Sequence, residues 1–202
     1  MNSENYLKDI SEIKNLMNKS SRFISLSGLS GVLAGMYALI GAAYAYWLVA
    51  NSSDGYLMLN GKVFQLIIFD LLLIGFLSIS TAILLTTKKA KRNGERIWDA
   101  TTKRLLINFL IPLVAGAIYI IIILNHQKYG QTGALMLIFY GLALINASKY
   151  TVGDIKYLGY TEVVLGLIAA SLPGYGFWFW VLGFGVMHII YGTLMYFKHD
   201  RK

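Results

Sequence analysis

Glu162 and His188 are ionisable residues placed well inside apolar stretches, each between two glycines at the same offsets. Glu162 stands between Gly159 and Gly166, and His188 between Gly185 and Gly192. Offsets of minus three and plus four share one face of a helix, so each polar side chain lies on a strip without bulk above or below it. An ionisable group inside a membrane marks a functional site by default. A carboxyl beside an imidazole can pass a proton, hold a cationic or polar solute, or lock two helices together, with the protonation of the two groups coupled. Pro173-Gly174-Tyr175-Gly176 reads as the turn between the two segments, with Tyr175 midway between positions 162 and 188. Folding there sets Glu162 level with His188, Gly159 with Gly192, and Gly166 with Gly185.

Two further polar residues lie within apolar stretches. Asn108 is followed one turn later by Pro112, which removes an amide donor and frees a backbone carbonyl. With Ser30 and Asn146 at comparable depth, Asn108 could line a polar cavity around Glu162 and His188, or each group could be satisfied by its own helix-to-helix hydrogen bond. Asp70 lies nearer the opposite end of its segment, where Tyr44, Tyr119 and Tyr140 could reach it. The alternatives are an Asp–Tyr hydrogen bond and an outer proton or cation port, the latter giving two stations of one relay.

The elements that must position these groups are membrane helices. Of 202 residues 56% are hydrophobic, and the mean hydropathy is +0.58, beyond the range of soluble domains. Six segments approach or exceed the roughly 20 residues that cross a bilayer, at 23–49, 63–87, 104–124, 132–148, 157–172 and 176–197. The expected fold is an all-α membrane domain of six transmembrane helices over 23–197. It is preceded by a cytoplasmic amphipathic helix at 1–22, interrupted by a basic loop at 88–103, and followed by a short tail at 198–202. In this arrangement 16 of the 18 Lys and Arg residues fall on one side, so both termini are expected in the cytoplasm. The net charge of +8 then reflects topology and attraction to anionic lipid rather than nucleic-acid binding. A bacterial inner membrane fits this composition. No cleavable signal is evident, because the first 22 residues are polar and the apolar run after them is too long for one.

Small residues recur every four positions in the first segment, with Ser27, Gly31 and Gly35 on one strip. Such strips let helices approach closely, within one chain or across a homodimer. The segment before it carries Tyr6, Ile10, Ile13 and Met17 as a short apolar seam, suited to the membrane surface or to a cytoplasmic protein partner. Tyr44, Tyr46, Trp47 and Phe177 to Trp180 form an aromatic belt at the outer side.

Catalytic chemistry has little support. Gly28-Leu29-Ser30-Gly31 matches the nucleophile motif of rhomboid proteases, with His188 as the potential base. Rhomboids carry that motif on the fourth helix of their core, and their additional His and Asn have no counterpart here. The chain has no cysteine, its three histidines are isolated, and no nucleotide-binding loop occurs, so neither a metal nor a cofactor is expected.

The stretches Arg104 to Asn108, Phe139 to Lys149 and Gly183 to Gly192 resemble a group of uncharacterised bacterial six-span membrane proteins. That resemblance covers most of the chain and assigns no site residue. The association of such proteins with transcriptional regulators implies sensing or regulation. Two functions are therefore expected from different classes: a small-solute or proton-coupled transporter centred on Glu162 and His188, and a membrane sensor or scaffold acting through a cytoplasmic partner.

Overall fold

A computed structural model describes residues 26–52, 61–95 and 97–201, and the described residues form an all-helical bundle. The Tyr6/Ile10/Ile13/Met17 seam lies outside the described residues. Six helices follow one another: α1 Gly28–Ala50, α2 Lys62–Arg92, α3 Ala100–Asn125, α4 Thr132–Ala147, α5 Ile155–Ser171 and α6 Gly176–Asp200. α1, α2, α3 and α6 are long and apolar enough to cross a membrane, as is the fourth segment taken from Tyr129 to Tyr150. α5 has 17 residues, about 25 Å at 1.5 Å per residue, a little short of a hydrocarbon core of roughly 30 Å.

Two features differ from the sequence expectation. Lys88, Lys89, Lys91 and Arg92 extend α2 instead of lying in a loop. Lysine, alanine and arginine are good helix formers, so the helix continues past its apolar stretch. The connection begins at Asn93 and turns through Gly94 at a φ of 69°, and α3 is opened by Asp99, whose carboxylate accepts from the Thr102 amide at 2.7 Å.

The second difference concerns the glycines. α5 and α6 do not pair strip to strip. Gly159 meets Gly141 and Ile145 of α4, and Gly166 meets Ala134 and Ile138 of α4. Gly185 faces Leu39 of α1, and Gly192 lies against Gly28, Gly31 and Val32 of α1. Each glycine strip is consumed by a different close antiparallel pair, α4 with α5 and α1 with α6. Gly31 and Gly35 complete the second pair, with ideal Cβ positions 3.2 Å from the Gly192 Cα and 2.6 Å from the Gly185 carbonyl. α2 packs against α1, α3 packs against α4, and the first half of α6 reaches across to α4 and α5.

The helices alternate in direction, and polar clasps gather their ends. The Asp200 carboxylate accepts from the Gly28 amide at 2.9 Å and pairs with the Lys89 ammonium at 2.5 Å. The same ammonium donates to the Leu26 carbonyl at 3.0 Å. One aspartate at the end of α6 thus caps the start of α1 and holds the end of α2. Neighbouring Lys198 and His199 reach Asp154, just before α5, at 2.6 and 3.1 Å. Those contacts hold the Asp154 carboxyl below its ordinary value, the Lys198 hydrogen bond contributing most and the His199 bond next.

Candidate functional site

Glu162, on the side of α5 that faces α6, is completely buried, with 0% of its surface exposed. Its carboxyl lies over the bare Cα of Gly183. A Cβ at that position would meet Glu162 Oε2 and a methyl of Leu137. His188, 6% exposed, brings Nδ1 to 3.4 Å from Glu162 Oε1. The approach read from the sequence is therefore present, with the two groups within ion-pair range. His188 Nδ1 is closer to the Gly183 carbonyl, at 3.0 Å, and Nε2 meets the Tyr140 hydroxyl at 2.8 Å. A carbonyl oxygen only accepts, so the ring carries a hydrogen on Nδ1, and in the neutral ring Nε2 accepts from the Tyr140 hydroxyl. Both nitrogens are thus engaged elsewhere. Neither Glu162 oxygen has a hydrogen-bond partner among the described residues.

An aromatic column holds the imidazole in place. Phe184 stacks on His188 with centroids 5.8 Å apart and planes 16° from parallel. Tyr140 lies 5.3 Å from the imidazole and 5.1 Å from Phe184. Trp180 continues the column 5.1 Å from Phe184, packed on Ala38 and Ala42 of α1. Spacings of four residues put Trp180, Phe184 and His188 on one face. The stretch Val181–Met187 between them is π-helical, a geometry that recurs at functional sites.

Tyr140 is the member that sequence reasoning assigned elsewhere. Depth alone grouped it with Asp70, whereas α4 carries it to His188. Tyr119, from the same group, packs on Phe139 at 6.5 Å. The aromatic in the middle of Phe139-Tyr140-Gly141, ahead of the α4 glycine that receives α5, was the available signal.

The remaining candidates are held apart from this centre. Asp70 sits at the interface of α1 and α2, with Oδ2 2.9 Å from the position of a Cβ on Gly41. The Asn108 side chain donates to the Arg104 carbonyl one turn back, at 2.8 Å. Its backbone carbonyl accepts from Asn146 Nδ2 at 3.0 Å. Ser30 donates to the Ser27 carbonyl at 2.6 Å, and with His188 committed to Tyr140 and Gly183 the protease-like motif has no base bonded to its hydroxyl. Among the described residues no three His, Asp or Glu side chains converge as a metal site would require.

Compared with family models, curated proteins and solved structures, the chain has no match. The site's own geometry is a buried carboxyl with no hydrogen bond among the described residues, an imidazole 3.4 Å away with Nδ1 turned to a carbonyl, and a phenol on the far nitrogen.

Proposed function

We propose that this is a six-span protein of a bacterial inner membrane, with both termini cytoplasmic, working as a small-solute or proton-coupled carrier with Glu162 and His188 at its polar centre. The observation that carries this reading is a buried carboxyl with no hydrogen bond among the described residues, its neighbour His188 Nδ1 being bonded to the Gly183 carbonyl instead. A structural lock returns hydrogen bonds for the burial of its polar groups, whereas an unsatisfied buried group costs on the order of 1–3 kcal/mol, and more if charged. A carboxyl kept at such a cost is better suited to taking up and releasing a ligand than to holding helices. The topology is supported by the contact of Asp200 with the Gly28 amide. That contact sets the start of α1 and the end of α6 at one end of the bundle, as an even number of crossings requires. The basic residues cluster at this end, the pattern of a cytoplasmic face.

The test is proton flux in proteoliposomes holding a trapped pH dye, with wild type and Glu162→Gln compared across a panel of imposed solute gradients. Solute-dependent acidification with wild type and none with the variant is the expected result. Absence of both proton flux and solute uptake for wild type under every gradient would overturn the carrier reading and favour the sensor.

A further inference from the structure

The polar centre draws on three helices, and its burial is graded. Glu162 of α5 is 0% exposed and His188 of α6 is 6% exposed, while Tyr140 of α4 is half-buried. The order of contact runs the same way as the order of burial. The Tyr140 hydroxyl reaches Nε2 at 2.8 Å, and Nδ1 stands 3.0 Å from the Gly183 carbonyl and 3.4 Å from Glu162 Oε1. Around the carboxyl, Leu137 and the backbone of Gly183 close in so tightly that a single added methyl would collide. On the Gly183 side that packing leaves no room for a hydrated cation or an organic solute. A proton needs no added volume.

We infer that Tyr140 and His188 form a proton relay to Glu162, and that the ligand exchanged at this site is the proton. The inference rests on the carrier reading and names the ligand of the same site. With Glu162 ionised, a hydronium proton delivered to Tyr140 joins Oη as the Oη hydrogen moves to Nε2. The hydrogen on Nδ1 then leaves its place against Gly183 and bonds to Glu162 Oε1. Tyr140 ends as a neutral phenol and His188 as the neutral Nε2–H tautomer. Glu162 ends as a carboxylic acid, and no electrons are transferred. Running the steps backwards discharges the site. The titratable groups gathered here are Glu162, His188 and Tyr140. α1 presents glycine, since a Cβ added at Gly31 would lie 3.6 Å from the His188 carbonyl, and α3 presents the Phe109 ring 6.2 Å from Tyr140. Gly183 acts as a positioning residue, because it supplies the acceptor that selects the tautomer and the bare Cα that seats the carboxyl.

The relay is tested by infrared difference spectroscopy of the full chain in lipid nanodiscs after a pH jump, over about pH 5 to 9. The Glu162 carbonyl band is identified by its loss in Glu162→Gln. Tyr140→Phe keeps the ring and removes the hydroxyl. It is expected to slow the rise of this band by at least about tenfold, within the range of a positioned proton donor, and to leave its final height unchanged. An unchanged rate would overturn the relay while leaving Glu162 as an exchanging carboxyl. A wild-type spectrum in which the band never titrates would overturn both the relay and the carrier reading. Should Tyr140→Phe fail to fold, nitrogen-15 resonances of His188 in wild type decide the matter. The ring hydrogen should pass from Nδ1 to Nε2 as Glu162 protonates, and a ring that stays on Nδ1 would overturn the relay.

Discussion

Asn146 supplies the hydrogen bond that Pro112 cannot make. Proline at 112 has no amide to offer the carbonyl four residues earlier, that of Asn108, and the Asn146 side chain crosses from α4 to donate to it at 3.0 Å. Replacing Asn146 with leucine should therefore lower stability by about 1 kcal/mol, the usual size of an interhelical hydrogen bond in membranes. Pro112→Ala should restore the intrahelical donor and make the loss at 146 smaller. Thermal unfolding of the two single variants and the double variant measures this coupling, and strict additivity would show that Asn146 does not serve the proline.

The close helix pairs predict a contrast between glycines of similar sequence setting. A Cβ at Gly159 would lie 2.8 Å from the Gly141 carbonyl and 3.0 Å from the Ile145 amide, whereas one at Gly75 would meet nothing within 4 Å. Gly159→Ala must push α4 and α5 apart, at a cost of about 1–3 kcal/mol. Gly75→Ala should gain up to about 1 kcal/mol from helix propensity alone. Melting temperatures moving in opposite directions would confirm that the α4–α5 contact depends on the missing side chain.

These cases mark what could be read from the chain. Hydrophobic length was enough to give helices close to most of their observed bounds, and a carbonyl left without its helical donor by Pro112 was foreseen. The Glu162–His188 approach was foreseen too, because one short turn joins their helices. What sequence spacing does not encode is which neighbour a helix turns its small face to. The fold at Tyr175 suggested that Gly159 meets Gly192, but each found a tighter partner, Gly141 in one case and Gly28 in the other. Tyr140 was missed as a member of the site for the same reason. Depth along a helix says nothing about rotation around it.

Because the Glu162 carboxyl has no hydrogen-bond partner among the described residues, removing it should help the fold. Glu162→Met keeps most of the volume and discards a desolvated polar group, which recovers the roughly 1–3 kcal/mol that an unsatisfied buried group costs. A higher melting temperature together with loss of proton flux is expected. A large drop in stability would show that Glu162 holds the helices together after all.

The clasp of Lys89 and Asp200 should act as a unit. Their side chains are 11% and 10% exposed, and Asp200 also accepts from the Gly28 amide. Truncating either residue strands a charge in a poorly solvated place, with an expected loss of about 1.5–3 kcal/mol, the scale of hydrogen bonds to charged groups. Lys89→Met with Asp200→Asn should cost less than the sum of the two single changes. A double-mutant cycle in detergent gives the coupling directly.

The second clasp predicts a pH dependence whose sign is fixed by Asp154. The Lys198 hydrogen bond, with that of His199 behind it, lowers the folded-state value of this carboxyl below its ordinary one. A depressed carboxylate contributes stability that is fully present above the unfolded value and is lost as pH falls through the folded value. Acidification from neutrality should accordingly leave this contribution intact until the pH enters the carboxylate range, and then remove it progressively. The effect is small, because Lys198 is 63% exposed and solvent screens the pair. Asp154→Asn should remove this part of the acid-limb slope in a plot of melting temperature against pH and leave the neutral plateau slightly lower. A plateau unchanged by the substitution, with the acid slope retained, would assign the acid sensitivity to other carboxylates.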